Sequence, residues 1–212
     1  MSEELEIEYL GQSGFRLSTR DSALVIDPSN KKSGDFDGDI LYCTHKHSDH
    51  TGGISTFLER NKRAIFIAND QVLQEFSEYE DRTLKAVPGK SHTHGIWTLD
   101  FIEMRHGLFK GVESTGVIVK TKGKSFGHAG DTVTLKGFID QKLDVLAIPI
   151  GGGPTMSPKK ALQELKTYQI MLPRIIPMHW LVRNPKGFCK QVRELAENVT
   201  CSVMSKGEIL TI

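Results

Sequence analysis

Apolar residues along the chain fall into short runs divided by polar, glycine-bearing turns, and the runs follow two periods. Residues 7–10, 15–18 and 23–26 are predicted strands, with Gly11-Gln12-Ser13-Gly14 and Thr19-Arg20-Asp21-Ser22 as the turns between them. The runs 39–43, 64–68, 145–150 and 175–178 read as buried strands, and a strand-rich middle carries candidates at 84–87, 96–99, 101–105, 116–121 and 125–127. Helical spacing appears in Ile54, Phe57 and Leu58, and again in Val72, Leu73, Phe76 and Tyr79 behind a cap at Asn69 or Asp70. Ser157-Pro158 starts a helix carrying Ala161, Leu162, Leu165 and Tyr168, and Asn184-Pro185 starts one carrying Phe188, Val192, Leu195 and Ala196. A short hairpin around Ser205-Lys206-Gly207 is expected at the end. Strands in both halves with helices between some of them predict an α/β architecture of two sheets packed face to face, helices outside. Neither a low-complexity tract nor a linker interrupts the pattern, and 212 residues fit one domain, 1–212.

Composition narrows the classes. The formal net charge of +1 gives no electrostatic case for nucleic acid, and the lysine clusters at 31–32, 120–124 and 159–160 read as solvated surface. The three cysteines, Cys43, Cys189 and Cys201, form no C-x-x-C, which argues against a disulfide framework and for a reducing compartment. The acidic start Met-Ser-Glu-Glu-Leu-Glu is unlike a signal peptide and no run is long enough to span a membrane, so a cytoplasmic location is expected.

The chemistry concentrates in Thr44-His45-Lys46-His47-Ser48-Asp49-His50-Thr51-Gly52-Gly53, directly after the strand 39–43. Residues two apart in an extended segment point the same way, so His45 and His47 can converge on one ion, while Asp49 and His50 fall where a helix begins and can face a second. Gly52 and Gly53 are expected to allow a tight turn, and Thr51 to cap the following helix. A catalytic metal site needs several ligands on rigid supports, and strand ends supply three more: His106, Asp131 and His179. His45, His47 and His106 would hold one ion, and Asp49, His50 and His179 the other. Asp131 would bridge, since a carboxylate has two oxygens. His92 and His94 form an H-x-H without a carboxylate and read as a solvated turn. His128, Asp27 and Thr155 are candidates for orienting a ligand from behind or touching substrate. A plain structural role for His128 is as good a reading.

The order H-x-H-x-D-H, then a later His, an Asp and a final His resembles the metallo-β-lactamase superfamily, as do Tyr9-Leu10-Gly11-Gln12-Ser13-Gly14-Phe15 and Leu24-Val25-Ile26-Asp27-Pro28. His128-Ala129-Gly130-Asp131-Thr132, Pro149-Ile150-Gly151-Gly152 and Ile176-Pro177-Met178-His179 resemble one branch, that of small metal-dependent hydrolases, ascorbate-6-phosphate lactonases and N-acyl-phosphatidylethanolamine phospholipases D. The resemblance implies a four-layer αββα sandwich with metals at one edge. Gly153 and Pro154 depart from the branch, so its substrate contacts do not transfer.

The function expected is hydrolysis of a lactone or phosphodiester in a small substrate by a metal-bridging hydroxide, with Asp49 and Asp131 in catalytic roles and two divalent ions as cofactors. Zinc comes first for so many histidines, and manganese, iron or nickel also suit a mixed set. No G-x-S-x-G offers a protein nucleophile. The alternatives are a nuclease or phosphodiesterase on nucleic acid, a non-catalytic metal-binding protein, and a di-iron redox protein. The near-neutral charge and the lack of an inserted domain count against the first. His47, standing where di-iron relatives carry Glu, counts against the last. A homo-oligomer stays open. Substrate choice is expected to lie in the loops around Phe109, 151–155 and Trp180.

Overall fold

A computed structural model describes residues 4–107, 111–170, 172–180, 182–196 and 198–212. Among them the strands are β1 (Glu6–Gly11), β2 (Gly14–Ser18), β3 (Ala23–Ile26), β4 (Ile40–Cys43), β5 (Ile65–Ala68), β6 (Thr83–Lys85) and β7 (Ser91–His94), followed by β8 (Trp97–Met104), β9 (Ser114–Thr121), β10 (Lys124–His128), β11 (Val145–Pro149), β12 (Arg174–Met178), β13 (Thr200–Cys201) and β14 (Ile209–Thr211). The helices are α1 (Lys31–Gly34), α2 (Ser48–Thr51), α3 (Ile54–Arg60), α4 (Asp70–Glu75), α5 (Pro158–Thr167) and α6 (Pro185–Arg193). The chain divides into two compact units, Met1–Val87 with Ser205–Ile212, and Pro88–Met204.

The first unit holds a sheet in the order β14-β1-β2-β3-β4-β5-β6. Its β14, β1, β2 and β3 pair antiparallel, and β3 to β6 run parallel. β3 and β4 are buried along their whole length, as continuous apolar runs in a parallel sheet require. α3 lays Ile54, Phe57 and Leu58 against Val25, Leu41 and Phe66, each side chain contributing about 1.5–3 kcal/mol by leaving water. Asn69 caps α4 as expected, accepting from the Val72 amide. The expected closing hairpin is not formed: Ser205 to Glu208 do turn, but β14 pairs with β1 while β13 pairs with β12 in the other sheet. A turn signal fixes where a chain reverses and not which neighbour the next strand joins.

The second unit repeats the scheme in the order β13-β12-β11-β10-β9-β8-β7, with β13 to β10 parallel and β10 to β7 antiparallel. α5 and α6, started by Ser157-Pro158 and Asn184-Pro185, pack Ala161, Leu165, Phe188 and Val192 on Ile118, Leu146 and Ile148. The two strands expected at 96–99 and 101–105 are one, because Asp100 stays in register opposite Ile118 and pairs with Lys120. His92 and His94 lie in the edge strand β7 rather than in a turn, opposite Leu99 and Trp97. Cys189 of α6 is bonded to Cys201 of β13, Cα atoms 5.0 Å apart, which corrects the reading against disulfides. The pair lies 12 residues apart and meets only because the chain returns from α6 alongside β12. Among the described residues no helix is long and apolar enough to cross a membrane.

Candidate functional site

In each unit most of the candidate polar residues gather at the carboxyl ends of the parallel strands, where such sheets place their ligands, and His106 follows β8 of the antiparallel part. In the first unit, β3 ends at Asp27, whose φ of 47° is left-handed, a conformation Asp tolerates. Asp27 is fully buried. Its Oδ1 accepts the Thr44 amide at 2.8 Å, and its Oδ2 accepts the Thr44 hydroxyl and His50 Nδ1, each at 2.7 Å. A carboxylate only accepts, so the ring proton of His50 is on Nδ1. Thr44 has spent its one hydroxyl proton on Asp27, so its Oγ1 accepts from His45 Nδ1 at 3.1 Å. In both neutral rings the lone pair is left on Nε2.

Those lone pairs lie beside further atoms able to ligate a metal. His45 Nε2 lies 3.0 Å from His47 Nδ1, and His50 Nε2 lies 3.8 Å from an Asp49 carboxylate oxygen. Two nitrogens about 2.0–2.1 Å from zinc in a tetrahedral site would stand about 3.3 Å apart, so this donor set fits a transition metal. Asp27 thus stands behind His50 directly and behind His45 through Thr44.

Local packing fixes the loop. The His47 carbonyl accepts the amides of His50 and Thr51 and the Thr51 hydroxyl. Thr51 therefore ends α2 instead of capping α3, which starts after Gly53. Gly52 and Gly53 have ordinary negative φ and are required for close approach, not for a tight turn. A Cβ on Gly53 would stand 2.6 Å from the Asn30 carbonyl oxygen. Cys43 donates its thiol to the His45 carbonyl at 3.2 Å. Burial, then the Asp27 charge, pushes that thiol well above its ordinary range, so it is no nucleophile.

Gln12 is a residue the sequence reading passed over as part of a turn. Its Nε2 donates to Asp49 Oδ2 at 2.9 Å from a left-handed backbone, and Tyr9 holds its carbonyl at 2.8 Å.

In the second unit, Asp131 follows β10, His179 follows β12 and His106 follows β8. Asp131 Oδ2 lies 3.4 Å from His179 Nε2 and 4.0 Å from His106 Nε2, with all three residues buried. One carboxylate oxygen thus sits between two imidazoles. His128 accepts the Gly130 amide on Nδ1 at 3.1 Å, which pins the turn that presents Asp131. The segment 151–155 ties the strand ends that carry His106 and His179 together. The Gly107 amide, next to His106, donates to the Pro154 carbonyl at 2.9 Å. At its other end Gly151 lies against His179, where a Cβ would be 2.3 Å from the carbonyl oxygen and 3.1 Å from Nδ1. His179 itself is left-handed at φ 48°. Thr155 turns its hydroxyl onto the Gly152 carbonyl at 3.2 Å and so braces this loop. Trp180 packs partly buried on the core under α5 and α6. Phe109 lies outside the described residues.

Residues 6–179 match the family model of a beta-lactamase superfamily domain. The chain is 30% identical to a UPF0173 metal-dependent hydrolase of Opitutus terrae, covering 98% of this chain and all of that protein. It is 26% identical to a UPF0173 metal-dependent hydrolase of Pyrococcus furiosus, with 98% and 100% covered. Among solved structures it is similar to Igni18, a metallo hydrolase from Ignicoccus hospitalis, with a TM-score of 0.83 and 24% identity over 99% of this chain and 98% of that one. The fold is the metallo-β-lactamase fold.

Proposed function

We propose that this chain, which belongs to the metallo-β-lactamase superfamily, is a metal-dependent hydrolase that cleaves an ester-like bond, a lactone or a phosphodiester, in a small substrate. The observation that carries the reading is the way Asp27 and Thr44 hold their histidines, protons inward and both Nε2 lone pairs left for an ion. We assign His45, His47 and His106 to one divalent ion, Asp49, His50 and His179 to a second, and Asp131 to both. The span of the family match, 6–179, supports a single domain over 1–212. Zinc is the first choice for so histidine-rich a set, with manganese, iron and nickel behind it. The proposed location is the cytoplasm, and the Cys189–Cys201 bond is the feature that speaks against it.

Divalent ions, if held by these residues, would supply an acidified water near neutral pH and a positive charge to polarise the attacked carbonyl or phosphoryl oxygen. The remaining work falls to the protein's own groups. Asp49, whose side chain is 45% exposed, takes the proton of the attacking water and passes it to the leaving group. Gln12 fixes the rotamer in which it does so. Asp131 keeps two imidazoles in register around one carboxylate. Asp27 orients His50 and fixes its ring proton on Nδ1.

Protein reconstituted with zinc, manganese or iron is to be assayed on lactones, thioesters and phosphodiesters, with Asp131→Asn in parallel. The expected result is turnover confined to one bond class, with metal content and rate both lowered sharply in the variant. Bound metal with no turnover on any class, or an Asp131→Asn variant with full metal and full activity, overturns the proposal.

A further inference from the structure

Directly after His179 the chain doubles back, with the Arg183 amide donating to the Trp180 carbonyl at 2.7 Å. This returns the Arg183 side chain over the loop that supports His179. Its Nε donates to the Gly151 carbonyl at 3.1 Å, and its Nη2 passes 3.2 Å from where a Cβ on Gly152 would stand. Gly152 is left-handed at φ 80°. The guanidinium therefore lies along a bare stretch of backbone, held in place by one of its five N–H groups. Gly151 also abuts the His179 ring, so a ligand imidazole and a fixed guanidinium share one residue as their support. Among the described residues no carboxylate pairs with Arg183, and the residue is solvent-exposed.

We propose that Arg183 selects substrates that carry an oxyanion, a carboxylate or a phosphate monoester, beside the bond to be cleaved. This rests on the hydrolase reading above and names its substrate class. The donors left over at Nη1 and Nη2 form the planar fork that matches two oxygens of one such group. Nε is tied down before substrate arrives, so little side-chain freedom remains to be lost on binding. The plainer role, a clamp that only steadies Gly151 under His179, makes a different prediction, because a clamp acts on every substrate alike.

The test uses matched esters that differ only in a carboxylate, a phosphate monoester or a neutral amide at the same position, assayed with the metal-loaded wild type, Arg183→Gln and Arg183→Lys. The wild type should prefer one oxyanion ester over the neutral one. Arg183→Gln should lower that anionic-to-neutral kcat/KM ratio about 10- to 100-fold, mostly through KM, the range for a lost charge-assisted hydrogen bond. Arg183→Lys should keep part of the preference. The carboxylate and phosphate arms separate the two oxyanions. A ratio unchanged while all rates fall together overturns the proposal in favour of the clamp, as does a wild type with no preference. Should no ester be turned over, the hydrolase reading fails instead. Arg183 is then read by the NMR shift of its Nε–H on titration with inorganic phosphate or acetate, and a resonance that neither anion moves overturns the proposal.

Discussion

Replacing Asp27 by Asn keeps the shape of the buried side chain and reverses its hydrogen-bonding sense. In the native protein Oδ2 accepts from Thr44 Oγ1 and His50 Nδ1. An amide nitrogen in that place donates twice. The Thr44 hydroxyl then accepts from Asn and gives its own proton to His45 Nδ1, so both histidines must move their ring proton to Nε2. Rotating the amide instead would point a donor at the Thr44 amide, which now sits 2.8 Å from Oδ1. The network can therefore be satisfied only with both Nε2 atoms protonated, the form that cannot bind a metal. Folding stability without metal should change by about 1 kcal/mol, since the number of bonds is kept and only their charge assistance is lost. Metal affinity should fall about 10- to 100-fold, or about 1.4–2.7 kcal/mol. Competition with a chromophoric chelator measures the affinity, and long-range nitrogen–proton NMR reads the tautomers directly. Wild-type His50 protonated on Nε2, or an Asp27→Asn protein with unchanged affinity, refutes the reasoning.

Two further outcomes follow from close contacts elsewhere. Gly151→Ala places a Cβ 2.3 Å from the His179 carbonyl oxygen, so it should cost about 1–3 kcal/mol in chemical unfolding and lower the metal content measured by mass spectrometry. Burial raises the Glu164 pKa, but Lys160, the Leu135 amide and the Thr134 hydroxyl more than offset it and hold the carboxyl below the usual range. The stability this group contributes is thus present above its unfolded value near about 4.3 and lost as pH falls through the lower folded value. Glu164→Gln should abolish that part of the acid dependence, so identical acid unfolding profiles for the two proteins would exclude it.

The parts of the fold legible in the sequence were those written in one strong local signal. Continuous apolar runs gave β3, β4, β11 and β12, and Ser157-Pro158 and Asn184-Pro185 gave the starts of α5 and α6. The candidate site was legible for a related reason, since His and Asp residues at strand ends stand next to runs that are easy to see. His106, Asp131 and His179 were found that way, and the structure places them together. What escaped depended on distant partners. Gln12 sits in an ordinary turn sequence, and only the fold brings Asp49 to it. Arg183 is placed by the Gly151 carbonyl, 32 positions away. Cys189 and Cys201 form no local motif, and His92 and His94 are polar residues in an edge strand whose pairing with β8 no periodicity reveals.

The loop 151–155 joins Gly107, beside His106, to the backbone under His179, and offers Arg183 its resting place. Evolvability is the consequence. In many enzymes a specificity loop can drift while the catalytic centre stands still, but if His179 holds an ion and Arg183 selects substrate as proposed, changes at 152–154 would alter substrate preference and cofactor retention together. A laboratory selection for a new substrate on this scaffold should therefore be run at saturating metal. Otherwise, variants with a useful new pocket will be discarded for having lost their ions.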